Sequence, residues 1–468
     1  MAIENTHFGT VAIGQALRDC KSVFFIGIGG ISMSALAQLT AHAGFLVGGS
    51  DRTESALTRS LEEQGIRVFL GHDAAHIDAY DAVVYTVAIG VDNPEYLAAR
   101  ESGKLLVSRA DYLGYLMSTF RTRVGIAGMH GKSSCTAMCA SIFLCGGDPT
   151  ILCGAELPAL GNSTCRIGNA KEHFVFEACE YMDSFLDFNP TLAVILNVGM
   201  DHVDYFHSME QIRTSFLRYA QRTGEGGRVL YNADDAESVL AMKPFEGRHV
   251  TFGLDSPADF TARNITHHRG VTSFDFCRDT QALCRLSMRV TGRHNVYNAL
   301  AAASAATLCG LSPETISAGL SRFTGARRRM EYKGRLPSGA VVYDDYGHHP
   351  DEIKATLKGA RELGYRRVLC AYQPHTYSRT AGLLEEFSTS FGDADRVYFA
   401  DIYAAREKNV FGVTSKTLAD RVGASAVYCG SFASVAETIQ RETRADDLVI
   451  VMGAGDIFKV FDLLDLRD

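Results

Sequence analysis

The hydrophobic positions of this chain fall into short continuous runs, separated by stretches with the spacing of amphipathic helices. The first run, Ser22–Ile26, is followed by a glycine-rich turn and a helical pattern that ends at His42. Further runs follow at 46–49, 67–70 and 82–86. Continuous apolar runs are typical of parallel strands buried on both faces. The alternation therefore predicts a doubly wound parallel sheet with right-handed crossovers, in an α/β domain over residues 1–119.

The same alternation returns near the end of the chain. A strand begins at Val341, and Pro350, a residue favoured in the first turn of a helix, begins a helix that extends to Leu363. Strands follow at 368–372, 396–401 and 447–452. This pattern predicts a second doubly wound domain over residues 325–468. A chain of 468 residues has room for three domains, which leaves 120–324 as a central domain.

The central region opens with a glycine-rich loop that follows a short apolar strand. Gly128, Gly131, Lys132 and Ser133 stand in the order of a phosphate-binding loop. Glycines let backbone N–H groups close around an anion, and the next helix directs its positive end to the same place. Lys132 can reach terminal phosphates, and Ser133 offers a hydroxyl to Mg²⁺. A plain strand-to-helix turn is the structural alternative, but the combination favours a nucleoside triphosphate site.

A second glycine turn follows the first strand. It contains Gly29 and Gly30, but Ser32 stands where the dinucleotide-binding fingerprint has its last glycine. Asp51 lies about twenty residues further on, where an acid can bind a ribose hydroxyl. A dinucleotide cofactor and a nucleotide sugar are equally compatible with these residues. The structural alternative is a turn that binds no ligand and only packs a helix on a strand.

Acidic side chains follow two strands of the central region. Glu177 and Glu180 end one strand, and Asp201, His202 and Asp204 follow another. Buried acids need a compensating partner, which predicts a cation or a metal beside them. A neutral imidazole at His202, oriented by Asp201 or Asp204, can bind a metal, whereas the alternative is a polar surface loop. Oxygen-rich ligands suit Mg²⁺ or Mn²⁺ better than Zn²⁺.

Two further clusters precede the last domain. Asn295 and Asn298 lie one helical turn apart, so their amides share a face and match either adenine contacts or a helix cap. Arg327, Arg328 and Arg329 form either a phosphate clamp or a solvated linker.

Polar side chains also end the strands of the last domain. His348 follows the strand that begins at Val341, and His375 and Arg379 follow the next strand. Ligands of doubly wound sheets bind at the carboxyl ends of the strands. These side chains therefore predict a binding site for a small substrate.

Composition argues against several classes of protein, namely those that bind nucleic acid, those held by disulfides and those that span a membrane. The formal net charge of -8 and the lack of a Lys/Arg block argue against a nucleic-acid partner. The twelve cysteines form no metal-finger spacing, and many lie in apolar patterns, which favours reduced thiols and a cytosolic setting. The beginning of the chain lacks a signal-peptide pattern and no apolar run reaches membrane-spanning length, so we expect a cytoplasmic protein without a membrane partner.

Together and in this order, the motifs resemble those of the Mur ligase family of peptidoglycan synthesis, over essentially the whole chain. The resemblance is closest to the member that adds L-alanine. It implies an α/β fold of three domains: a Rossmann-like N-terminal domain for a UDP-sugar, a central P-loop-type ATPase domain and a Rossmann-like C-terminal domain for the amino acid. The implied substrates are UDP-N-acetylmuramate, L-alanine and ATP, with Mg²⁺ or Mn²⁺. The implied reaction joins L-alanine to the lactyl carboxylate through an acyl phosphate.

The resemblance also implies a role for individual residues. Those matching ATP contacts are Gly128, Met129, His130, Gly131, Lys132, Ser133, Ser134, Asn295, Asn298, Arg328 and Asp344. Those matching metal ligands are Ser133, Glu177 and His202. The UDP-sugar positions are Gly29, Gly30, Asp51, His72 and Arg109, and the amino-acid positions are Tyr346, His348, His375 and Arg379. The groups implied in catalysis are Lys132, Glu177, His202 and His348.

The chain departs from the family pattern at several of these motifs. The departures are Met129, Cys179, Tyr181, Gly199, Met200 and Thr376. Thr376 replaces an arginine that binds the substrate carboxylate, so Arg379 is expected to supply that charge alone. Sibling ligases use a carbamylated lysine near the metals, but no lysine lies between Lys171 and Lys243. Phe216 stands at the nearest matching position, which fits the alanine-adding member.

Three alternatives stay open. A related ligase would add a different amino acid or a tripeptide. An oxidoreductase would use NAD at the first glycine turn, but it leaves Lys132 and Ser133 unexplained. A non-catalytic protein would bind ATP without turnover stimulated by a substrate.

Overall fold

The structure is a computed structural model that describes residues 3–202, 205–268, 271–405 and 407–467. Its contacts divide the chain into two units, each made of several segments. Unit 1 comprises 1–199, 210–259 and 301–316, and unit 2 comprises 200–209, 260–300 and 317–468.

A five-stranded, all-parallel sheet forms the N-terminal part of unit 1, with the strand order β3-β2-β1-β4-β5. Its strands are β1 (Ser22–Ile26), β2 (Leu46–Asp51), β3 (Arg67–Leu70), β4 (Ala82–Tyr85) and β5 (Leu105–Ser108). Its helices are α1 (Gly9–Ala16), α2 (Ile31–His42), α3 (Ala56–Glu63), α4 (Pro94–Ser102) and α5 (Arg109–Met117). The winding direction reverses beside β1, so the glycine turn after β1 lies where such sheets bind ligands.

A mixed sheet forms the rest of unit 1, with the strand order β12-β11-β10-β6-β9-β7-β8. Its strands are β6 (Thr122–Ala127), β7 (Thr150–Leu157), β8 (Ser163–Arg166), β9 (His173–Glu177), β10 (Leu192–Ile195), β11 (Arg228–Asn232) and β12 (His249–Gly253). The helices that follow them are α6 (Lys132–Gly146), α7 (Met209–Gln221) and α8 (Ala236–Met242). Within this set β8 pairs antiparallel with β7, and the other pairs of neighbouring strands are parallel.

Unit 2 begins with an antiparallel meander that the sequence pattern did not predict. Its strands are β13 (Phe260–His268), β14 (Val271–Arg278) and β15 (Gln281–Met288). Two helices follow in the chain, and the division between the units falls inside both: α9 (Arg293–Leu308) and α10 (Pro313–Ser321). Asp275 pairs with Arg285 across the meander at 2.7 Å.

A six-stranded sheet forms the C-terminal part of unit 2, with the order β16-β17-β21-β18-β19-β20. Its strands are β16 (Glu331–Arg335), β17 (Val341–Asp345), β18 (Arg367–Tyr372), β19 (Arg396–Ala400), β20 (Ala426–Gly430) and β21 (Asp447–Met452). Its helices are α11 (Pro350–Arg361), α12 (Tyr377–Gly382), α13 (Leu384–Ser388), α14 (Ser415–Val422) and α15 (Phe432–Glu442). Only β16 runs antiparallel to its neighbour, and apolar clusters cover both faces.

These sheets confirm the predicted α/β class and both doubly wound parts. The helix that begins at Pro350 ends at Arg361, two residues before the predicted end. The boundaries at 119/120 and 324/325 stay predictions, although α5 ends at Met117 and β6 begins only at Thr122.

The structure describes every cysteine of the chain. All twelve cysteines lie in the described ranges and are free. In the part of the chain that the structure describes, no helix is both long and apolar enough to span a bilayer.

Gly125 shows how tightly β6 is packed in the centre of its sheet. A Cβ atom at this position would lie 2.2 Å from the Tyr219 hydroxyl and 2.7 Å from Cζ of Phe176. Both aromatic side chains are fully buried. A glycine is therefore required here by close packing and not by backbone conformation.

We expect Gly125→Ala to lower the free energy of unfolding by about 1–3 kcal/mol, because the added methyl group overpacks a closed core. Urea unfolding followed by circular dichroism measures the change. Gly147→Ala is the matched control, since nothing lies within 4 Å of its Cβ position. Equal stability of the two variants would contradict the packing argument.

Candidate active site

The loop between β6 and α6 has the backbone shape that the glycine pattern predicted. Gly128 and Gly131 have φ values of 146° and 83°, which side-chain-bearing residues rarely adopt. Asn197, just beyond β10, holds the loop from the adjacent strand. Its Oδ1 accepts from the His130 N–H at 2.8 Å, and its Nδ2 donates to the His130 carbonyl at 3.0 Å. We did not single out Asn197 from the sequence, although its position at a strand end beside β6 was a usable signal.

The ammonium of Lys132 lies against the strand-end acid Glu180. Its Nζ donates to both Glu180 carboxylate oxygens, at 3.1 and 3.0 Å, and to the carbonyls of Gly128 and Met129. Only 17% of the Lys132 side chain and 5% of the Glu180 side chain are exposed. Burial alone would lower the pKa of Lys132, but the Glu180 charge outweighs it and raises this pKa to about 12. The partner predicted for a buried acid is thus Lys132.

Glu177 keeps one carboxylate oxygen available. Its Oε1 accepts from the Gly154 N–H at 2.9 Å and from the Cys153 thiol at 3.2 Å. A Cβ at Gly154 would lie 2.7 Å from Oε2, so a side chain there would displace the carboxylate from this position. No hydrogen bond to Oε2 is formed by the residues that the structure describes. Oxygen donors of this kind at a helix start, with Ser133 in the first turn of α6, fit Mg²⁺.

Two departures from the family pattern are physically linked. A Cβ at Gly199 would lie 2.7 Å from Sδ of Met129. A side chain at 199 would therefore displace the end of the flexible Met129 side chain. The exchange leaves the Met129 N–H in place, and it donates to the Asn197 carbonyl at 3.2 Å.

In the N-terminal sheet, the predicted residues surround the glycine turn after β1. The Gly29 N–H donates to Asp51 Oδ2 at 2.9 Å. Arg109 donates to the Ser32 hydroxyl at 3.1 Å, so the serine at the last fingerprint position contacts a partly buried cation. Burial lowers the pKa of the Arg109 guanidinium. Gly30 stands at the N-cap of α2 without a capping side chain.

In unit 2, the acid beside His202 is paired with an arginine of the last domain. Asp201 accepts from Arg379 at 3.0 Å, while its other oxygen lies 3.9 Å from His202 Nε2, beyond hydrogen-bond length. Burial would raise the pKa of Asp201, but the Arg379 charge overcomes it and holds this pKa below its usual range. Asp204, the other predicted orienting acid, lies outside the described residues.

His348 and His375 lie together at the ends of β17 and β18. Their ring centroids are 5.9 Å apart, and His375 stacks on Tyr403 at 5.4 Å. Burial lowers the pKa of each imidazole to about 4. His348 Nδ1 lies 3.2 Å from the Tyr346 carbonyl, which can only accept, so Nδ1 carries the hydrogen and Nε2 the lone pair. Both rings are therefore neutral near pH 7.

Thr376 stands between His375 and Arg379 in a strained conformation. Its φ of 64° is unusual for a β-branched residue. Its hydroxyl accepts from the Arg379 N–H and caps α12. The hydroxyl thus orders the turn that carries Arg379 and supplies no charge of its own.

Arg328 is enclosed by aromatic rings. Its guanidinium carbon lies 5.0 Å from the ring centroids of both Tyr346 and Phe458, and Nε lies 3.5 Å from Asp344 Oδ2. Its neighbours Arg327 and Arg329 pair with Glu331 and Glu352. The three arginines are therefore folded into unit 2, which excludes the solvated-linker alternative.

The two asparagines lie within the first turns of α9 and touch each other. Asn298 Nδ2 lies 3.4 Å from Asn295 Oδ1, and Asn295 Nδ2 donates to the Thr291 carbonyl at 2.7 Å. A cap would instead accept from a first-turn amide. The two side-chain amides therefore lie against each other along one face of α9.

Three family models match consecutive parts of the chain. They are described as Mur ligase family, catalytic domain (22–121), Mur ligase middle domain (126–306) and Mur ligase, glutamate ligase domain (328–455). Together they extend over most of the 468 residues.

Individual proteins match over nearly the full length. The UDP-N-acetylmuramate–L-alanine ligase of Acetivibrio thermocellus is 43% identical over 96% of this chain and 96% of its own. That of Clostridium novyi is 42% identical over 94% of this chain and 96% of its own. The crystal structure of the UDP-N-acetylmuramate-alanine ligase of Thermotoga maritima matches with a TM-score of 0.78 and 26% identity, over 94% of this chain and 97% of that one.

We predict that Asp344 makes the stability of unit 2 depend on pH. Burial raises the pKa of its carboxyl to about 6, although Arg328 opposes the shift. Between about pH 4, the unfolded value, and about pH 6 the folded state holds more protons, so the free energy of unfolding falls as pH rises, by on the order of 2 kcal/mol.

Asp344→Asn should remove this part of the pH dependence. Urea unfolding followed by circular dichroism at several pH values between 4.5 and 7 (an experimental range of about two units) measures it, with the exposed Asp393→Asn as control. A wild-type curve parallel to that of Asp344→Asn would contradict the prediction.

Proposed function

The chain belongs to the Mur ligase family, and from that premise we propose that it joins L-alanine to the lactyl carboxylate of UDP-N-acetylmuramate at the expense of ATP. The observation that carries this proposal is the identity of 43% to a ligase of that name over 96% of both chains. The phosphate loop and the neutral histidines at the strand ends supply the chemistry. ATP and sugar nucleotides are cytoplasmic metabolites, so we place the reaction in the cytoplasm.

The loop at 128–134 and Lys132 bind the terminal phosphates of ATP. A carboxylate cannot react with an amine directly, so the lactyl carboxylate first attacks the γ-phosphate and an acyl phosphate forms with release of ADP. Charge on the transferred phosphoryl group is stabilised by the loop N–H groups and by the Lys132 ammonium. In this scheme Glu180 keeps the ammonium in place and protonated.

Ser133 and Glu177 are our candidates for the ligands of one Mg²⁺, and His202 for a ligand of a second. A bound divalent cation neutralises charge on the phosphates and orients them. The free Oε2 of Glu177 supports its assignment. The hydrogen bonds to Oε1 fix the carboxylate in one orientation.

Asn295 and Asn298 are our candidates for reading the adenine edge, since amides offer a donor and an acceptor. Arg328 and Asp344 are our candidates for further contacts to ATP, as the resemblance implies. The two aromatic rings around Arg328 hold its guanidinium in one orientation. A guanidinium that binds a phosphate needs such a fixed orientation.

The amino acid is bound by Tyr346, His348, His375 and Arg379. His348 is the candidate general base: its Nε2 lone pair can take a proton from the alanine amine as the amine attacks, or help to place that amine. Arg379 supplies the positive charge for the substrate carboxylate, and Asp201 orients it at 3.0 Å. The amine then attacks the acyl phosphate, and phosphate leaves.

Gly29, Gly30, Asp51, His72 and Arg109 bind the UDP-sugar. Arg109 is a partly buried cation that donates one hydrogen bond to the described residues, at the Ser32 hydroxyl, so it retains donors for an anion. The glycine turn places backbone N–H groups at the start of α2, where a diphosphate is stabilised.

The direct test is ADP formation with UDP-N-acetylmuramate, with and without L-alanine. We expect turnover that requires both substrates. Glycine, L-serine and the tripeptide, each in place of L-alanine, separate the related ligases, because Thr376 alters the carboxylate pocket. Turnover with the tripeptide alone, or none with any of them, would contradict the proposal.

Lys132→Ala should reduce ADP formation by more than about 100-fold, because a preorganised charge at the transferred phosphoryl group is lost. The melting temperature should stay within a few degrees of wild type. The exposed Lys171→Ala serves as control. Near-wild-type turnover of Lys132→Ala would refute the loop assignment.

His348→Gln should lower kcat/KM for L-alanine by about 100-fold, because glutamine cannot take the proton. The KM for ATP should change little. Burial lowers the pKa of His348 to about 4. The wild-type rate, corrected for the fraction of L-alanine with an unprotonated amine, should therefore not fall as the pH is lowered through 6.5 (about the pKa of an unperturbed histidine). Initial rates between pH 6 and 8 (about the range of an unperturbed histidine) measure this pH dependence, and the exposed His268→Gln is the control. A fall in the corrected rate near pH 6.5 (about the unperturbed histidine pKa) that disappears in His348→Gln would contradict the prediction.

A further inference from the structure

Glu95, in the first turn of α4, is a carboxylate that none of the sequence motifs identified. Its side chain is 0% exposed. Ionised acids are rarely found in this setting unless paired, because removal of the charge from water is strongly unfavourable. Its partners therefore show what the site is built to hold.

The partners of Glu95 are two imidazoles and one hydroxyl. Oε2 lies 2.7 Å from His72 Nδ1 and accepts from the Ser50 hydroxyl at 2.6 Å, and Oε1 lies 2.8 Å from His76 Nδ1. The start of α4 adds a favourable dipole, and Asn93 caps it. No lysine or arginine among the described residues forms an ion pair with Glu95, so the histidines and the hydroxyl compensate its charge.

The carboxylate decides which nitrogen of each ring carries the hydrogen. An ionised carboxylate only accepts, so both imidazoles hold their hydrogen on Nδ1 and present Nε2 away from Glu95. His76 also stacks on Phe69, with centroids 4.2 Å apart. Exposure does not separate the two rings, since 14% of the His72 side chain and 19% of the His76 side chain are exposed. Among the described residues His72 stacks on no aromatic ring, so it is the imidazole that we assign to a ligand.

Ser50 connects this network to the glycine turn. Its hydroxyl binds Glu95, while its backbone carbonyl accepts from the N–H groups of Gly27 and Ile28, at 2.8 and 2.9 Å. Ser50 is fully buried at the end of β2. The orientation of His72 and the shape of the turn are thus set through one residue.

We propose that Glu95 is the positioning residue of the sugar-nucleotide pocket, which holds His72 in one tautomer and couples it through Ser50 to the glycine turn. This inference rests on the proposed function, in which His72 and the turn bind the UDP-sugar. Glu95 itself stays beneath the pocket and touches no substrate.

Glu95→Gln in the full-length chain is the test, because a carboxamide has the same shape but must present an N–H₂ group to one partner. One imidazole then loses its hydrogen bond or moves its hydrogen to Nε2. We expect the Kd for UDP-N-acetylmuramate, measured by calorimetry, to rise about tenfold or more. The KM for this substrate should rise in parallel, while kcat and the KM for ATP change less than about twofold.

Glu101→Gln, an exposed change on the same helix, is the matched control and should leave the Kd unchanged. His72→Ala should raise the Kd at least as much as Glu95→Gln. If Glu95→Gln does not fold, Ser50→Ala removes one donor, keeps the backbone carbonyl, and must still raise the Kd severalfold.

Wild-type binding with an unchanged Kd in Glu95→Gln or in His72→Ala would overturn the inference, as would a loss of kcat with an unchanged KM. Failure of the wild type itself to bind UDP-N-acetylmuramate, with normal ATP binding, would instead refute the proposed function. The two failures are therefore distinguishable.

Discussion

The ion pair between Lys132 and Glu180 is the contact on which the phosphate loop depends. An ammonium that donates to loop carbonyls alone would be a buried cation without compensation, and a strand-end acid without the lysine would be a buried anion. Together they keep the lysine charged and aimed along the loop. Asn197 fixes the other side of the loop from a neighbouring strand. These two contacts hold the loop and the Lys132 ammonium in place.

The same rule of compensation recurs at each strand-end site, with a different solution each time. Glu95 is balanced by two histidines, and Asp201 by Arg379. Asp344 has only a distant guanidinium at 3.5 Å, and burial accordingly raises its pKa to about 6. The strength of the partner decides whether an acid stays ionised, and so which sites can bind a cation and which can exchange a proton near neutral pH.

The departures from the family pattern become coherent once packing is known. At Met129 and Gly199 the thioether occupies the space that a side chain at 199 would need. Thr376 lacks the charge of an arginine, but its hydroxyl caps the helix that carries Arg379. Its backbone has a strained φ of 64° in this position. Departures that are far apart in the sequence therefore fall in two places, the phosphate loop with its neighbour at 199 and the turn before α12.

The sequence by itself determined the α/β class, the two doubly wound parts and the glycine loops, because these depend on short-range patterns of apolar runs and backbone freedom. It also indicated Lys132, Glu177, His348 and Arg379, since their residue types and strand-end positions are local. Only the tertiary structure decided which charges meet. Lys132 and Glu180 are 48 residues apart, and Asp201 and Arg379 are 178 apart. Such pairs depend on sheet order and on burial, which no local pattern encodes, and the roles of Asn197 and Glu95 emerged for the same reason.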